Sequence, residues 1–237
     1  MADPSVLSGQ IANYIAAVGG LGTAAFGLVD ATKAGKNGGV SRAGFRFIEA
    51  GIAKLIGTGS GGGVPCFGRV DMIETLRANW INGVEMAQQK AAAKALIRLY
   101  LSPDTATQLA KATGIGEASL VRIATKIRDG QTLDAADMNV LGRFDALVSA
   151  ALDEAYERAD QRYRNVAKLL AAAFAIVLAF FGGWIVHAAH SSGSLLSYLW
   201  SETLALALLV GVIAVPLAPV AKDLGSALEA AVKALAR

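Results

Sequence analysis

Hydrophobic positions in this chain fall into two regimes: three uncharged runs, and amphipathic segments at helical spacing between and after them. The uncharged runs are residues 11–29, 169–187 and 203–221. A helix needs about 20 predominantly apolar residues to cross a ~30 Å hydrocarbon core, so each run predicts a transmembrane helix. The core of the second, LLAAAFAIVLAFFGGWIV, holds no polar side chain other than the Trp184 indole. The first is interrupted by Asn13, Gly19, Gly20, Gly22 and Gly27, and the third carries Pro216 and Pro219 in its last third. Proline is tolerated in membrane helices where neighbours or water satisfy the freed carbonyls.

Between the first two runs the apolar positions recur with a helical period. Residues 42–56 set Phe45, Ile48, Ile52, Leu55 and Ile56 on one face, with Arg42, Arg46, Glu49 and Lys54 among them. This is the pattern of an amphipathic helix lying on a membrane or on its own domain. GTGSGGGVP follows as a connector; it lacks the GK[ST] ending and the preceding strand of a phosphate-binding loop. Residues 69–101 place Ile73, Leu76, Trp80, Val84, Ala87 and Ala91 at helical spacing, with a break expected at Asn82 and Gly83. Lys90, Lys94 and Arg98 form a basic stripe, read as a solvated face or as a candidate lipid contact for anionic headgroups. Ser102, Pro103 and Asp104 start a new helix, with Ser102 as N-cap and proline at the first helical position.

Thr132 is expected to cap a further helix beginning near Leu133, and no breaker stronger than Gly142 follows until Gly182. One helix therefore leaves the central region and continues into the second span. Leu141, Phe144, Val148, Leu152 and Tyr156 form its buried face, and Glu154 with Arg158 and Asp160 with Arg164 are i, i+4 ion pairs. Past the third run, Leu224, Leu228, Val232 and Leu235, with Glu229, Lys233 and Arg237, predict an interfacial amphipathic tail.

Charge turns these elements into a topology. All 22 Lys and Arg lie between Lys33 and Lys168 or between Lys222 and Arg237. By the positive-inside rule, residues 31–166 and the C-terminus face the cytoplasm, while the N-terminus and the hairpin 188–202 face out. Tyr14, Trp184, Tyr198 and Trp200 then fall near the outer interface, where Trp and Tyr concentrate. The expected fold is an all-α integral membrane protein. Its parts are an N-terminal transmembrane helix (1–30), a helical cytoplasmic domain continuous with the second span (31–166), a transmembrane hairpin (167–221) and an interfacial tail (222–237). The hydrophobic share of 54% and the mean hydropathy of +0.46 agree, being high for a soluble domain. Cys66 is the only cysteine, which excludes an intramolecular disulfide and a Cys-based zinc site. The first ten residues carry Asp3 and no Lys or Arg, unlike a signal peptide, so the N-terminus is expected to be retained.

Candidate chemistry is sparse. QLAKATGIGEASLVRI, residues 108–123, resembles a helix-turn-helix, with Ala110 where the first helix must be small, Gly114 at the turn, and Ile115, Leu120 and Ile123 at the apolar positions. Residues 117–126 would then be the recognition helix. Its basic groups are Arg122 and Lys126, with the acidic Glu117 at its start. Residues 31–166 carry 18 basic and 14 acidic side chains, a weak footprint for nucleic acid, which is not expected as a partner. The GIG sequence is also similar to a helix-hairpin-helix. His187 and His190, with Glu202, do not make a clear ligand set, so neither metal nor cofactor is expected. The span cores hold no Asp, Glu, Lys or Arg, which argues against a pump or transporter. With no paired carboxylates or nucleophile–base set, an enzyme is not expected.

Small residues supply the remaining signal. Ala171, Ala175, Ala179 and Gly183 form a stripe on the second span; Ala12, Ala16, Gly20 and Ala24 form one on the first, with Gly19, Thr23 and Gly27 beside it. Such stripes let helix backbones approach closely, and two on one helix exceed what one neighbour needs. FDALVSAALDEAYERADQRYRNVAKLL, with its polar positions Asp153, Arg158 and Tyr163, and the closing AVPLAPVAKDL resemble in organisation bacterial membrane proteins whose helical cytoplasmic domain feeds a terminal hairpin. The resemblance implies a bacterial inner membrane and no activity. The expected function is a non-catalytic membrane scaffold or anchor that forms a homo-oligomer among membrane lipids or docks a cytoplasmic protein. A membrane-tethered helix-turn-helix regulator and a pore or channel subunit are the alternatives.

Overall fold

Helix boundaries in the computed structural model follow the hydrophobic pattern closely. The structure describes residues 4–35, 38–57, 68–190 and 194–235, and of 4–12, 222 and 224–235 only the backbone. The connector with Cys66, the Ala12 side chain and the side chains of the amphipathic tail therefore lie outside the described residues. In chain order the helices are α1 (Pro4–Ala31), a 3-10 turn (Thr32–Ala34), α2 (Ser41–Ile56), α3 (Arg69–Ile81), α4 (Met86–Tyr100), α5 (Pro103–Thr113), α6 (Glu117–Arg128), α7 (Ala135–His190), α8 (Leu195–Leu199) and α9 (Glu202–Leu235). No strand occurs among the described residues. Three helices are long and apolar enough to cross a membrane: residues 13–34, the long α7 and residues 202–221.

Local chemistry accounts for the breaks. Gly83, at φ +68°, separates α3 from α4 where Asn82 and Gly83 predicted an interruption. Ser102 precedes α5, its N–H donating to Thr105 Oγ1 at 2.9 Å, with Pro103 in the first turn. The start of α7 differs from expectation. Asp134, not Thr132, caps it: its carboxylate accepts the Asp137 N–H at 2.8 Å, and the Asp137 carboxylate reaches back to the Asp134 N–H at 3.4 Å. This reciprocal pair satisfies two otherwise orphaned donors, which a threonine two residues upstream cannot do. Beyond it α7 runs through Gly142, Gly182 and Gly183 for 56 residues, roughly 80 Å at 1.5 Å per residue. α9 likewise continues through Pro216 and Pro219 to Leu235, so the third apolar run and the tail form one helix.

The chain divides into two compact units, residues 1–40 with 164–237, and residues 41–163; α7 contributes to both. In the first unit α1 and α9 pack directly. A Cβ at Gly22 would lie 2.7 Å from the Ala214 carbonyl carbon, and one at Gly19 would overlap Ala221. α7 and α9 also meet: a Cβ at Gly211 would lie 2.7 Å from the Ile176 Cα. Little of the apolar surface is used in this packing, since 22%, 17% and 22% of the three apolar windows is buried against protein.

In the second unit, α2 to α6 and the N-terminal part of α7 share one core, including Ile48, Ile52, Leu76, Ile97, Leu109, Leu120, Phe144 and Tyr156. The apolar face of α2 is spent on this core, so α2 lies on its own domain. Its backbone approaches α7 closely. A Cβ at Gly44 would lie 2.7 Å from the Ala159 carbonyl oxygen, and one at Gly51 would lie 2.6 Å from the Ala155 Cβ. The Trp80 indole closes the end of this crossing, donating to the Ser41 carbonyl at 2.9 Å and packing edge-on against Tyr156 and Tyr163.

Candidate functional site

The small-residue stripes divide between two fates. On α7, Ala171, Ala175 and Ala179 are buried and Gly183 is half-buried. Their partners are α9, through Gly211 beside Ala175 and Ala207 beside Gly183, and the Tyr198 ring. A Cβ at Gly183 would sit 2.5 Å from the Tyr198 hydroxyl, which donates to the Phe180 carbonyl at 2.9 Å. On α1, Gly19 is buried with Gly22, Ala25 and Val29, while Gly20, Thr23, Ala24 and Gly27 are exposed. A Cβ at Gly20 or Gly27 would meet nothing within 4 Å. One face of α1 is thus closed by α9, and a second small-residue face meets no neighbour among the described residues.

The aromatics divide in the same way. Tyr14 is 71% and Trp200 90% exposed, and Trp184 is half-buried against Phe181. Tyr198 departs from the interfacial reading. It is fully buried, edge-on to Phe180 at 5.4 Å, because α8 folds back and sets its ring over Gly183.

Lys90, Lys94 and Arg98, the candidate lipid contacts, face carboxylates of α7. Lys90 lies 3.0 Å from Asp153 and 3.3 Å from Glu157; Lys94 lies 4.0 Å from Asp145; Arg98 grips the same Asp145, with one bond at 2.8 Å. The hydrogen bond it donates to Asp153 holds the Lys90 ammonium pKa above its ordinary value, with Glu157 adding to it against partial burial. As residue numbers rise along α4 they fall along α7, so this is an antiparallel charged seam. Its acidic half was visible in the sequence as Asp145, Asp153 and Glu157 at multiples of four.

The helix-turn-helix resemblance corresponds to the hairpin of α5 and α6. Gly114 adopts φ +70°, a conformation costly for any residue with a Cβ, and the Ile115 N–H returns to the Ala110 carbonyl at 3.2 Å. Leu120, Ile123 and Ala110 are buried as the motif predicts. The two basic groups of the presumed recognition helix are engaged within the chain. Arg122 donates to Asp137 at 2.8 Å and 3.2 Å, and Lys126 pairs with Asp137 and, at 3.3 Å, with Asp134. Lys126 and then Arg122, with the Asp134 backbone, hold the buried Asp137 carboxyl down to a pKa of about 2. Glu117 accepts from Thr107 at 3.0 Å. Sequence reasoning missed Asp137 as the hub; its signal was an acid three residues after Asp134 at a helix start.

The histidines point to local partners. His190 Nδ1 lies 2.9 Å from the Val186 carbonyl, and His187 Nε2 lies 3.3 Å from Ser197 Oγ, its ring tilted against Tyr198. Among the described residues no three His, Cys, Asp or Glu side chains group as metal ligands do. No family model matches the chain, and no curated protein or solved structure matches it.

Proposed function

We propose that this chain is a non-catalytic, membrane-embedded scaffold or anchor that self-associates through α1. The observation that carries the reading is the double character of that helix. Gly19, Gly22 and Ala25 are consumed by α9, while Gly20, Ala24 and Gly27 leave a second face open to close backbone approach. The second copy of the same face is the occupant. Embedding is supported by three apolar helices with about four-fifths of each apolar window uncovered by protein, a surface that water does not favour. The distribution of Lys and Arg supports an outer N-terminus, with residues 31–166 and the C-terminus in the cytoplasm of a bacterial cell. There the helical unit is available to dock a protein partner.

Light scattering of the purified protein in mild detergent tests the assembly. The wild type should be oligomeric, and Gly20→Leu should shift it toward the monomer, overpacking the contact by roughly 1–3 kcal/mol. Ala175→Leu should instead lower the melting temperature, because Ala175 is fully buried within the chain. A monomeric wild type across the concentration range would remove the self-associating scaffold and leave only an anchor for a different protein.

A further inference from the structure

Cations that face another helix in the second unit commonly meet a carboxylate there, as Lys90, Lys94, Arg98, Arg122 and Lys126 do. The trough between α2 and α7 is built differently. Arg46 and Arg162 line a hollow of about 420 Å³ over Ala43, Phe47 and Ala50. Lys54 and Arg158 line an adjoining hollow of about 170 Å³, which shares Phe47 and Ala50. Glu154 is the acidic residue in these walls, and it is taken by Arg158 at 2.9 Å. Arg46, Lys54 and Arg162 have no ion-pair partner among the described residues. The floor is apolar, and Phe47 is 38% exposed in it.

Unpaired arginines on both walls call for an anion, and their planar donor forks suit phosphate oxygens. The apolar floor calls for an anion attached to a nonpolar body. The sequence adds where such a molecule would be met. α2 begins seven residues after Ala34, where the first apolar segment ends, and Arg162 stands seven residues before Leu169, where the second uncharged run opens. Both walls therefore come from chain segments that flank candidate spans, where basic side chains meet anionic headgroups. We propose that the trough between α2 and α7 binds the phosphate headgroup of an anionic glycerophospholipid, with Arg46 and Arg162 as its principal contacts. The inference rests on the membrane-embedded reading.

Native mass spectrometry of the full-length protein in mild detergent tests it, with dioleoylphosphatidylglycerol or dioleoylphosphatidylcholine added. The wild type should retain the anionic lipid about tenfold better than the zwitterionic one, given that each basic residue adds a favourable headgroup interaction. The exposed pair Arg46→Ala with Arg162→Ala should lose that preference, and Arg143→Ala, on an exposed stretch of α7 outside the trough, should keep it. An undiminished preference in the double variant would overturn the proposal. So would displacement of the lipid by an equal concentration of inorganic phosphate, which would make this a free-anion site. Displacement by a 12-nucleotide DNA, with DNA binding that depends on both arginines, would put nucleic acid in place of lipid. Retention of each variant in membranes through alkaline carbonate, and its release by detergent, reads embedding separately from headgroup preference. Matched melting temperatures show that the variants fold.

Discussion

Alanine at Gly44 and alanine at Gly142 should change stability in opposite directions, although both are single-methyl additions inside a helix. Replacing a helical glycine by alanine gains roughly 1 kcal/mol from backbone entropy and propensity when the methyl has room. At Gly142 a Cβ meets nothing within 4 Å, so this gain is realised in full. At Gly44 the methyl would lie 2.7 Å from the Ala159 carbonyl oxygen, 2.7 Å from the Trp80 Cζ2 and 3.1 Å from the Tyr163 Cβ. None of these yields easily. The carbonyl belongs to α7, and the indole is pinned by its hydrogen bond to Ser41 and by two ring contacts. Overpacking of this kind costs roughly 2–3 kcal/mol, which reverses the gain and leaves a net loss of about 1–2 kcal/mol. The two variants should then differ by about 2–3 kcal/mol, or roughly 5–10 °C in melting temperature for a chain of this length. Intrinsic-fluorescence melts of wild type and both variants in one detergent measure it. If Gly44→Ala stabilises as much as Gly142→Ala, then α2 and α7 do not approach at this point and the packing of the second unit is wrong.

Three further outcomes are expected. The Asp137 carboxyl is held at about 2 against an ordinary 3.8, so its contribution to stability is complete above about pH 4 and is lost as pH falls through 2; in melts across this range the gap between wild type and Asp137→Asn should close toward pH 2, and a constant gap would mean that the ion pairs with Arg122 and Lys126 do not form. The Tyr156 hydroxyl is buried without a hydrogen-bond partner among the described residues, and burial pushes its pKa up to about 12; Tyr156→Phe removes an unsatisfied donor and should raise stability by about 1 kcal/mol in chemical unfolding, whereas a loss would reveal a partner for that hydroxyl. In a Cys66→Ser background, Ser194→Cys should react with an impermeant thiol reagent in intact bacterial cells and Ala236→Cys should not; the reverse labelling would invert the orientation read from the charges.

Much of the architecture could be read before any tertiary contact was known, and the exceptions are instructive. Each helix between residues 69 and 128 begins or ends near a local signal: Gly83, Ser102 with Pro103, or Gly114. The start of α7 was misplaced because Asp134 caps it through Asp137, three residues on, and two basic residues of α6 complete the arrangement from elsewhere in the chain. Tyr198 reads as interfacial from its place beside Trp200 in the hairpin between two apolar runs; its burial depends on an absent Cβ at Gly183, fifteen residues away. The close crossing of α2 and α7 went unread. Gly44 and Gly51 stand seven apart, two helical turns, and bear no local mark that distinguishes them from Gly142.

What the amino-acid sequence determined by itself is whatever each segment decides alone: helix rather than strand, three segments long and apolar enough to cross a membrane, and where the turns fall. These depend on periodicity, propensity and capping, all local properties. What only the tertiary structure decided is which side of each helix has a neighbour. Adjacent residues on a helix point about 100° apart, so Gly19 and Gly20, indistinguishable by composition, end with one pressed against Ala221 and the other uncovered. Charge behaves likewise. The number of cations is a property of the chain, but whether Lys90 or Arg46 meets a carboxylate depends on what the opposite helix presents at that height.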